Sequence, residues 1–173
     1  HVAVSTLWSM RLTALVFVRH LGCTFCKEQV KDLRDHAAQL EQAGLGIAII
    51  TPDAAENNAA FAAEHALPFV VLADPSRAVY AAYGFREGSL GQLLNPHVVA
   101  RGAVATVHGN LAGRSAGNAR QLPGLALVDR AGLLRYRRPA RDAADHLSAR
   151  QLLAVAEPLL ASERERTQAD AVE

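Results

Sequence analysis

The sequence predicts an α/β domain built on a central mixed sheet with helices on its faces, and three observations carry that prediction. Short apolar runs alternate with stretches of helical period from residue 12 to residue 83, which implies βαβ units and a mainly parallel sheet. A sustained helical stripe over residues 23–43 meets a glycine at Gly44, a natural stop. Near the C-terminus, two apolar-rich runs flank Arg130-Ala131-Gly132, as in an antiparallel hairpin.

Each element follows from a local pattern. Residues 1–11 read as a loosely ordered or edge segment, with Trp8 as a packing anchor. A strand is expected over about residues 12–19, where Leu15-Val16-Phe17-Val18 forms an apolar run. In the following helix Cys26, Val30, Leu33, Ala37 and Leu40 recur at steps of four, three, four and three, the mark of one buried face. Next come a strand at Gly46–Thr51, a helix at Ala54–Ala66, a strand at Phe69–Leu72 and a helix at Ser76–Tyr83, the last announced by Asp74-Pro75-Ser76. The glycine-rich stretch from Gly84 to Gln121 has no sustained period and reads as a long connection with room for one short helix. The hairpin strands are Gly124–Asp129 and Leu133–Arg138, and a last helix starts at Ser148 with Leu152, Leu153 and Val155 inward. Pro158 is expected to kink or end it. The charged stretch 162–173 reads as a frayed tail to one domain over residues 1–161.

Composition narrows the function classes. With 173 residues, 50% hydrophobic and 20% charged, the chain can bury a real core. A net charge of +1 makes no case for nucleic acid or membrane as partner, and the broken cluster Arg135, Arg137, Arg138 and Arg141 reads as a solvated face. Leu12 to Val18 falls far short of the roughly 20 residues a membrane span needs, and Arg11 and Arg19 bracket it. No secretory or spanning segment is expected, although the chain starts at His1 and leaves open what precedes it. The glycines of 84–124 contain no phosphate-loop pattern, so nucleotide binding is not supported.

The two cysteines carry the chemistry. They stand three apart as Cys23-Thr24-Phe25-Cys26, a spacing that chance gives about once in 100, at the junction of the first strand and helix. Cys26 lies on the buried stripe, whereas Cys23 lies at the helix mouth, where unpaired N–H groups and the helix dipole favour an anion. Thiols so placed have pKa values lowered from about 8.5 into a range of about 3.5–7.5. Cys23 is therefore the expected nucleophile and Cys26 the resolving thiol. Arg19, His20 and Lys27 are near enough in sequence to add positive charge, and the sequence leaves open which of them faces the thiol. Two cysteines are too few for a disulfide scaffold, which points to a reducing compartment, the cytoplasm by default. Zinc is the main rival use for such a pair; a structural site needs four ligands, and only His20 and His36 are near candidates. His65, His97, His108 and His146 read as surface or loop residues, and Arg141-Asp142 as a surface ion pair worth at most about 1 kcal/mol.

The segment Val16-Phe17-Val18-Arg19-His20-Leu21-Gly22-Cys23-Thr24-Phe25-Cys26-Lys27-Glu28-Gln29, with Gln121-Leu122-Pro123-Gly124 and Arg141-Asp142-Ala143-Ala144-Asp145, resembles the peroxiredoxin-like branch of the alkyl hydroperoxide reductase and thiol-specific antioxidant superfamily. The resemblance covers about residues 5–160. It implies a thioredoxin-like fold, a redox-active CxxC and an antioxidant or thiol reductase role; one animal member type reduces prostaglandin endoperoxides. It also suggests a site-wall role for the Arg141–Asp145 block. Two departures are informative. True peroxiredoxins carry Thr or Ser where His20 stands, and an arginine where Pro123 stands, both groups that polarise the peroxide bond. Leu122-Pro123 instead matches the place where thioredoxins present a cis-proline to the CxxC, so a cis bond is expected here, and with it a tilt toward disulfide exchange.

The function expected from these readings is a thiol-dependent antioxidant oxidoreductase with no metal or organic cofactor. It reduces peroxides or disulfides through a Cys23/Cys26 cycle, with a thioredoxin-type protein or glutathione as electron donor. Arg19, His20 and Pro123 are the expected active-site neighbours. The alternatives are a disulfide reductase with little peroxidase activity, and a non-catalytic redox sensor or binding module in which oxidation reshapes the 84–121 connection. A homodimer is compatible with the sequence.

Overall fold

The computed structural model describes residues 4–107 and 120–170. After a 3₁₀ turn at Val4–Leu7 come β1 (Thr13–Phe17), α1 (Thr24–Asp35), α2 (Ala37–Gln42), β2 (Gly46–Thr51), α3 (Ala55–Glu64), β3 (Val70–Ala73) and α4 (Ala78–Ala82). Then follow α5 (Leu90–Leu94), α6 (Pro96–Val107), β4 (Gly124–Val128), β5 (Leu134–Pro139) and α7 (Ala149–Asp170). The five strands form one sheet in the order β3-β2-β1-β4-β5. β1 pairs in parallel with β2 from Thr13 opposite Gly46 to Phe17 opposite Ile50, and antiparallel with β4 from Thr13 opposite Val128 to Phe17 opposite Gly124. β3 extends the parallel half and β5 the antiparallel half, which gives the expected mixed sheet.

The apolar run of the first strand is explained by two cores, one on each sheet face. Ala14, Val16 and Val18 point into a cluster with Cys26, Val30 and Leu33 of α1 and Leu152, Ala156 and Leu160 of α7. Leu15 and Phe17 point the other way, against Tyr80 of α4, Phe85, Ala126 and Val128, with Trp8 and Tyr83 at the margin. Every residue of β1 is buried, so alternation has no solvent face to report. Gly124 is required by a close approach, because the Phe85 ring occupies the space that a Cβ there would fill.

Several elements differ from expectation, each for a physical reason. The single helix over 23–43 is two, because at His36 the backbone leaves helical geometry (φ −107°, ψ 12°) while its ring and its N–H both engage the Asp32 carbonyl. The glycine stop is realised in full: Gly44 adopts φ +86°, its N–H donates to the Glu41 carbonyl and Leu45 N–H to that of Leu40. Among its described residues the 84–121 connection holds two helices: α5 is started by a reciprocal Ser89/Gln92 capping box, and α6 by Pro96 and by the Asn95 side chain bonded to Val98 N–H. His108 and the rest of 108–119 lie outside the described residues. α7 neither ends nor breaks at Pro158. Pro158 faces solvent, and the inward stripe Leu152, Ala156, Leu160, Glu163 runs past it. The charged 162–170 stretch, expected to fray, is helical and tied down: the Glu163 carboxylate accepts from Arg130 N–H, and the Arg130 guanidinium donates to the Thr167 hydroxyl.

Candidate active site

The two cysteines sit where β1, buried at the sheet centre, hands over to α1. Cys23 is the N-cap of α1 in extended geometry (φ −77°, ψ 125°), and its carbonyl accepts the first helical bond, from Lys27 N–H. Its sulfur makes no side-chain cap hydrogen bond, but the backbone N–H groups of Cys26 and Phe25, among the donors that a helix start leaves unpaired, favour a negative charge on it. Cys26 lies one turn on, on the inward face of α1. Both are free thiols, each 4% exposed.

The pair is electrostatically asymmetric. The Cys26 thiol donates to the Cys23 sulfur, and this hydrogen bond, followed by the Arg19 charge and the two backbone donors, outweighs burial and holds Cys23 down at about 6. Cys26 is pushed well above the ordinary thiol value, first by burial and then by its bond to Cys23 and the charge there. Of the three candidate cations, Arg19 faces the site. Its Nη1 lies 3.5 Å from Cys23 Sγ, its backbone N–H donates to Cys26 Sγ at 3.2 Å, and its Nε donates to the Gln121 carbonyl at 3.2 Å. His20 is beside the pair but brings no charge at neutral pH: burial, followed by the Arg19 charge, lowers it to about 4 against the opposing pull of Asp53. Its Nδ1 is buried without a hydrogen-bond partner.

Pro123 corrects an expectation. No cis peptide bond occurs among the described residues, so Leu122–Pro123 is trans. Pro123 immediately precedes β4, and its carbonyl accepts from Ala140 N–H, prolonging the β4–β5 pairing. With Leu122 it lines a groove of about 300 Å³ with Phe85, Arg86, Gln92 and Ala140. Arg141 and Asp142 do not pair with each other: the Asp142 carboxylate accepts from Asn95 and His97, while Arg141 N–H donates to Asp145. This block joins the 139–147 loop to α5 and α6. Among the described residues no group of three or more His, Cys, Asp or Glu is placed to hold a metal ion.

Three residues that sequence reasoning missed hold the frame. The buried Asp53 carboxylate accepts from Leu21 N–H at 2.9 Å and fixes the turn between β1 and α1. The Tyr80 hydroxyl is bonded to the carbonyls of Val18 and Ile50. Gln121 supplies the carbonyl that orients Arg19, and its own side chain donates to the carbonyls of Arg86 and Leu122. Asp53 stands just past the end of β2, where parallel strands deliver functional residues, and that position was a usable signal. Tyr80 is brought in by tertiary structure and left none, whereas Gln121 stood in the Gln121–Gly124 segment of the resemblance without a role of its own.

Known proteins agree with this architecture. Over 87 residues, half of this chain, the sequence is 28% identical to the chloroplastic thioredoxin-like protein AAED1 of Arabidopsis thaliana. The matched stretch spans 35% of that relative. Among solved structures, reduced Prx3 from Vibrio vulnificus superposes with a TM-score of 0.63 at 19% identity, covering 91% of this chain and 88% of that one. Reduced 2-Cys peroxiredoxin from Plasmodium vivax gives 0.64 at 12% identity, covering 94% and 72%. These likenesses make the fold thioredoxin-like. The AhpC/TSA family profile matches residues 1–137, most of the described molecule including both cysteines, and the chain belongs to the AhpC/TSA family.

Proposed function

We propose that the protein is a thiol-dependent peroxidase that works through a Cys23/Cys26 dithiol–disulfide cycle. The observation that carries the reading is the unequal pair: one thiol held as thiolate by a neighbouring S–H, two backbone N–H groups and a guanidinium, the other held protonated by burial. The Cys23 thiolate attacks the terminal oxygen of a hydroperoxide, the O–O bond breaks, and the alkoxide leaves as the alcohol after taking a proton. The product is Cys23 sulfenic acid. Cys26 sulfur then attacks Cys23 sulfur, expelling water and forming the Cys23–Cys26 disulfide, with the thiol proton and the sulfenic hydroxyl leaving together. Two electrons from a dithiol donor, a thioredoxin-type protein or two glutathiones, reopen it. Arg19 replaces by position the arginine that Pro123 displaces, holding the thiolate and facing the developing alkoxide. His20, neutral and with a buried unpaired ring nitrogen, takes the place of the hydroxyl residue beside the thiolate. No metal or organic cofactor enters this cycle. Because the pair must be re-reduced each turn, we assign the protein to the cytoplasm, a reducing compartment. No helix of the described residues is long and apolar enough to cross a membrane.

The disulfide reductase reading has lost its supporting feature, since Pro123 is trans. Stopped-flow oxidation of pre-reduced protein by hydrogen peroxide, an organic hydroperoxide and a small disulfide in parallel separates the two. The expected result is loss of two thiols per chain with a hydroperoxide, far faster than free cysteine at the same pH. Rapid oxidation by the disulfide with peroxide no faster than free cysteine overturns the proposal.

A further inference from the structure

We infer that Tyr80 is a positioning residue for the thiol pair, acting on Cys23 through a single peptide unit and Cys26 although it lies on the opposite face of the sheet. The inference rests on the reading of Cys23 as the attacking thiolate. Tyr80 is fully buried in the core on the α4 side, its ring edge-on to Phe17 with centroids 4.9 Å apart. Its backbone N–H is held by the Asp74 carboxylate at the start of α4, which sets the height from which the phenol reaches up between the strand ends. There Oη lies 2.6 Å from the Val18 carbonyl and 2.8 Å from that of Ile50. A phenol carries one proton, and the Ile50 carbonyl already accepts from Val18 N–H at 3.0 Å. The shorter bond, to Val18, is therefore the one that matters most.

The Val18 carbonyl and the Arg19 N–H are the two ends of one planar peptide. Its oxygen accepts from Tyr80 while its N–H donates to Cys26 Sγ at 3.2 Å. Cys26 in turn donates its thiol proton to Cys23. Four groups thus form a continuous chain running from phenol to peptide, to resolving thiol, to thiolate, and hydrogen bonds in series polarise one another. The phenol fixes the tilt of that peptide and makes its N–H a stronger donor. A firmly held Cys26 sulfur keeps its S–H aimed at Cys23. Tyr80 remains a donor throughout the working pH range, because burial, and then the nearby Asp74 and Asp53 charges, hold its phenol well above its ordinary value. The titratable and charged groups around the thiol pair are then Arg19 and His20 from the β1–α1 turn, Cys26 from α1, Asp53 from beyond β2, and Tyr80 and Asp74 from α4 and its start.

The test is the thiolate midpoint of Cys23, read by ultraviolet thiolate absorbance and by alkylation rate against pH. It is measured in wild type, Tyr80→Phe, Cys26→Ala and the double variant. Tyr80→Phe is expected to raise the midpoint by about half a unit, leaving about threefold less thiolate well below it. In the Cys26→Ala background the same change is expected to add no shift, because the chain is already cut. No shift in the Tyr80→Phe protein while wild type titrates near 6 overturns the inference. So does an equal shift in both backgrounds, which marks a mere loosening of the core. A wild-type midpoint at the ordinary thiol value sinks the thiolate reading itself, and the Tyr80→Phe comparison still decides whether the phenol governs Cys23 wherever it titrates. If Tyr80→Phe does not fold, a ring-fluorinated tyrosine at position 80 keeps the hydroxyl and strengthens it as a donor. The expected shift is then downward, and its absence overturns the inference.

Discussion

The N-terminal end of α1 and the flank of the same helix one turn further on gather polar and titratable groups in opposite ways. At the end, one guanidinium and a set of neutral donors converge on a thiolate that has no neutralising carboxylate chemistry of its own. On the flank, a groove of about 900 Å³ collects Glu28, Lys31, Asp32, Asp35, His97, Arg101, Asp145, His146 and Arg150. Its carboxylates are largely committed: Glu28 to Arg101 at 3.2 Å, Asp145 to Arg138, and Asp32 to Ala149 N–H at 2.6 Å, where it starts α7. The groove thus holds charges that bind helices together, whereas the helix end favours a charge on the Cys23 sulfur. Reactivity follows from a group whose stabilising partners do not cancel it, rather than from the number of charges gathered or the size of the space.

Substitutions break this contrast at different depths. The deepest is Cys23→Ser, which should abolish peroxide-driven disulfide formation in the stopped-flow assay. Arg101→Ala, which opens the groove by freeing Glu28, should stay within about twofold of wild type and cost at most about 1 kcal/mol of stability, as for a half-exposed ion pair. A comparable loss of rate in Arg101→Ala would tie the two regions together. Next, Arg19→Met should raise the Cys23 midpoint by about one unit and slow peroxide reaction about fivefold at pH 6 through lost thiolate. Glu28→Gln, which also changes one charge near α1, should leave the midpoint in place.

The smallest effect is on stability against pH. His20 has a pKa of about 4 in the folded protein against 6.5 for an ordinary imidazole, so the folded form binds fewer protons than the unfolded one. Its neutral form contributes stability that is complete above about pH 6.5 and is lost as pH falls through 4, a loss of the order of 2 kcal/mol. His20→Asn should flatten that limb in chemical denaturation measured between these pH values. His146 is shifted in the same direction by burial, but Glu28, Asp32 and Asp145 oppose the shift. His146→Asn should therefore flatten the limb less, and the reverse order would overturn the distinction between the two regions.

Much of this was legible along the chain where local patterns decide. A strand buried on both faces announces itself as an unbroken apolar run, which placed Leu15–Val18. A helix with one inward stripe announces its period, which put Cys26 inward and Cys23 at the mouth. The hairpin around Arg130–Gly132 was equally local. What stayed illegible depends on partners distant in sequence. Charge composition made 162–170 look like a tail, but Glu163 and Thr167 find Arg130, more than thirty residues away. The isomer of Pro123 was inferred from resemblance, while the bond from Ala140 shows its carbonyl built into the sheet. Arg19, His20 and Lys27 were indistinguishable in sequence, and the Gln121 carbonyl that helps to hold the Arg19 side chain lies over a hundred residues on.

The position of β1 in the sheet has one further consequence. Hydrogen-bonded to β2 on one side and β4 on the other, with both faces buried, it is the strand whose amide protons should exchange with solvent only when the whole molecule opens. The turn that carries Arg19 and Cys23 hangs directly from its end. Under the proposed function, fluctuations that admit a substrate to the thiols therefore have one rigid wall, and the opening is expected in the helices around them. Deuterium uptake should accordingly be slowest through Ala14–Val16 and rise sharply in α5 and α6, dividing the surroundings of the thiols into a fixed floor and a breathing roof.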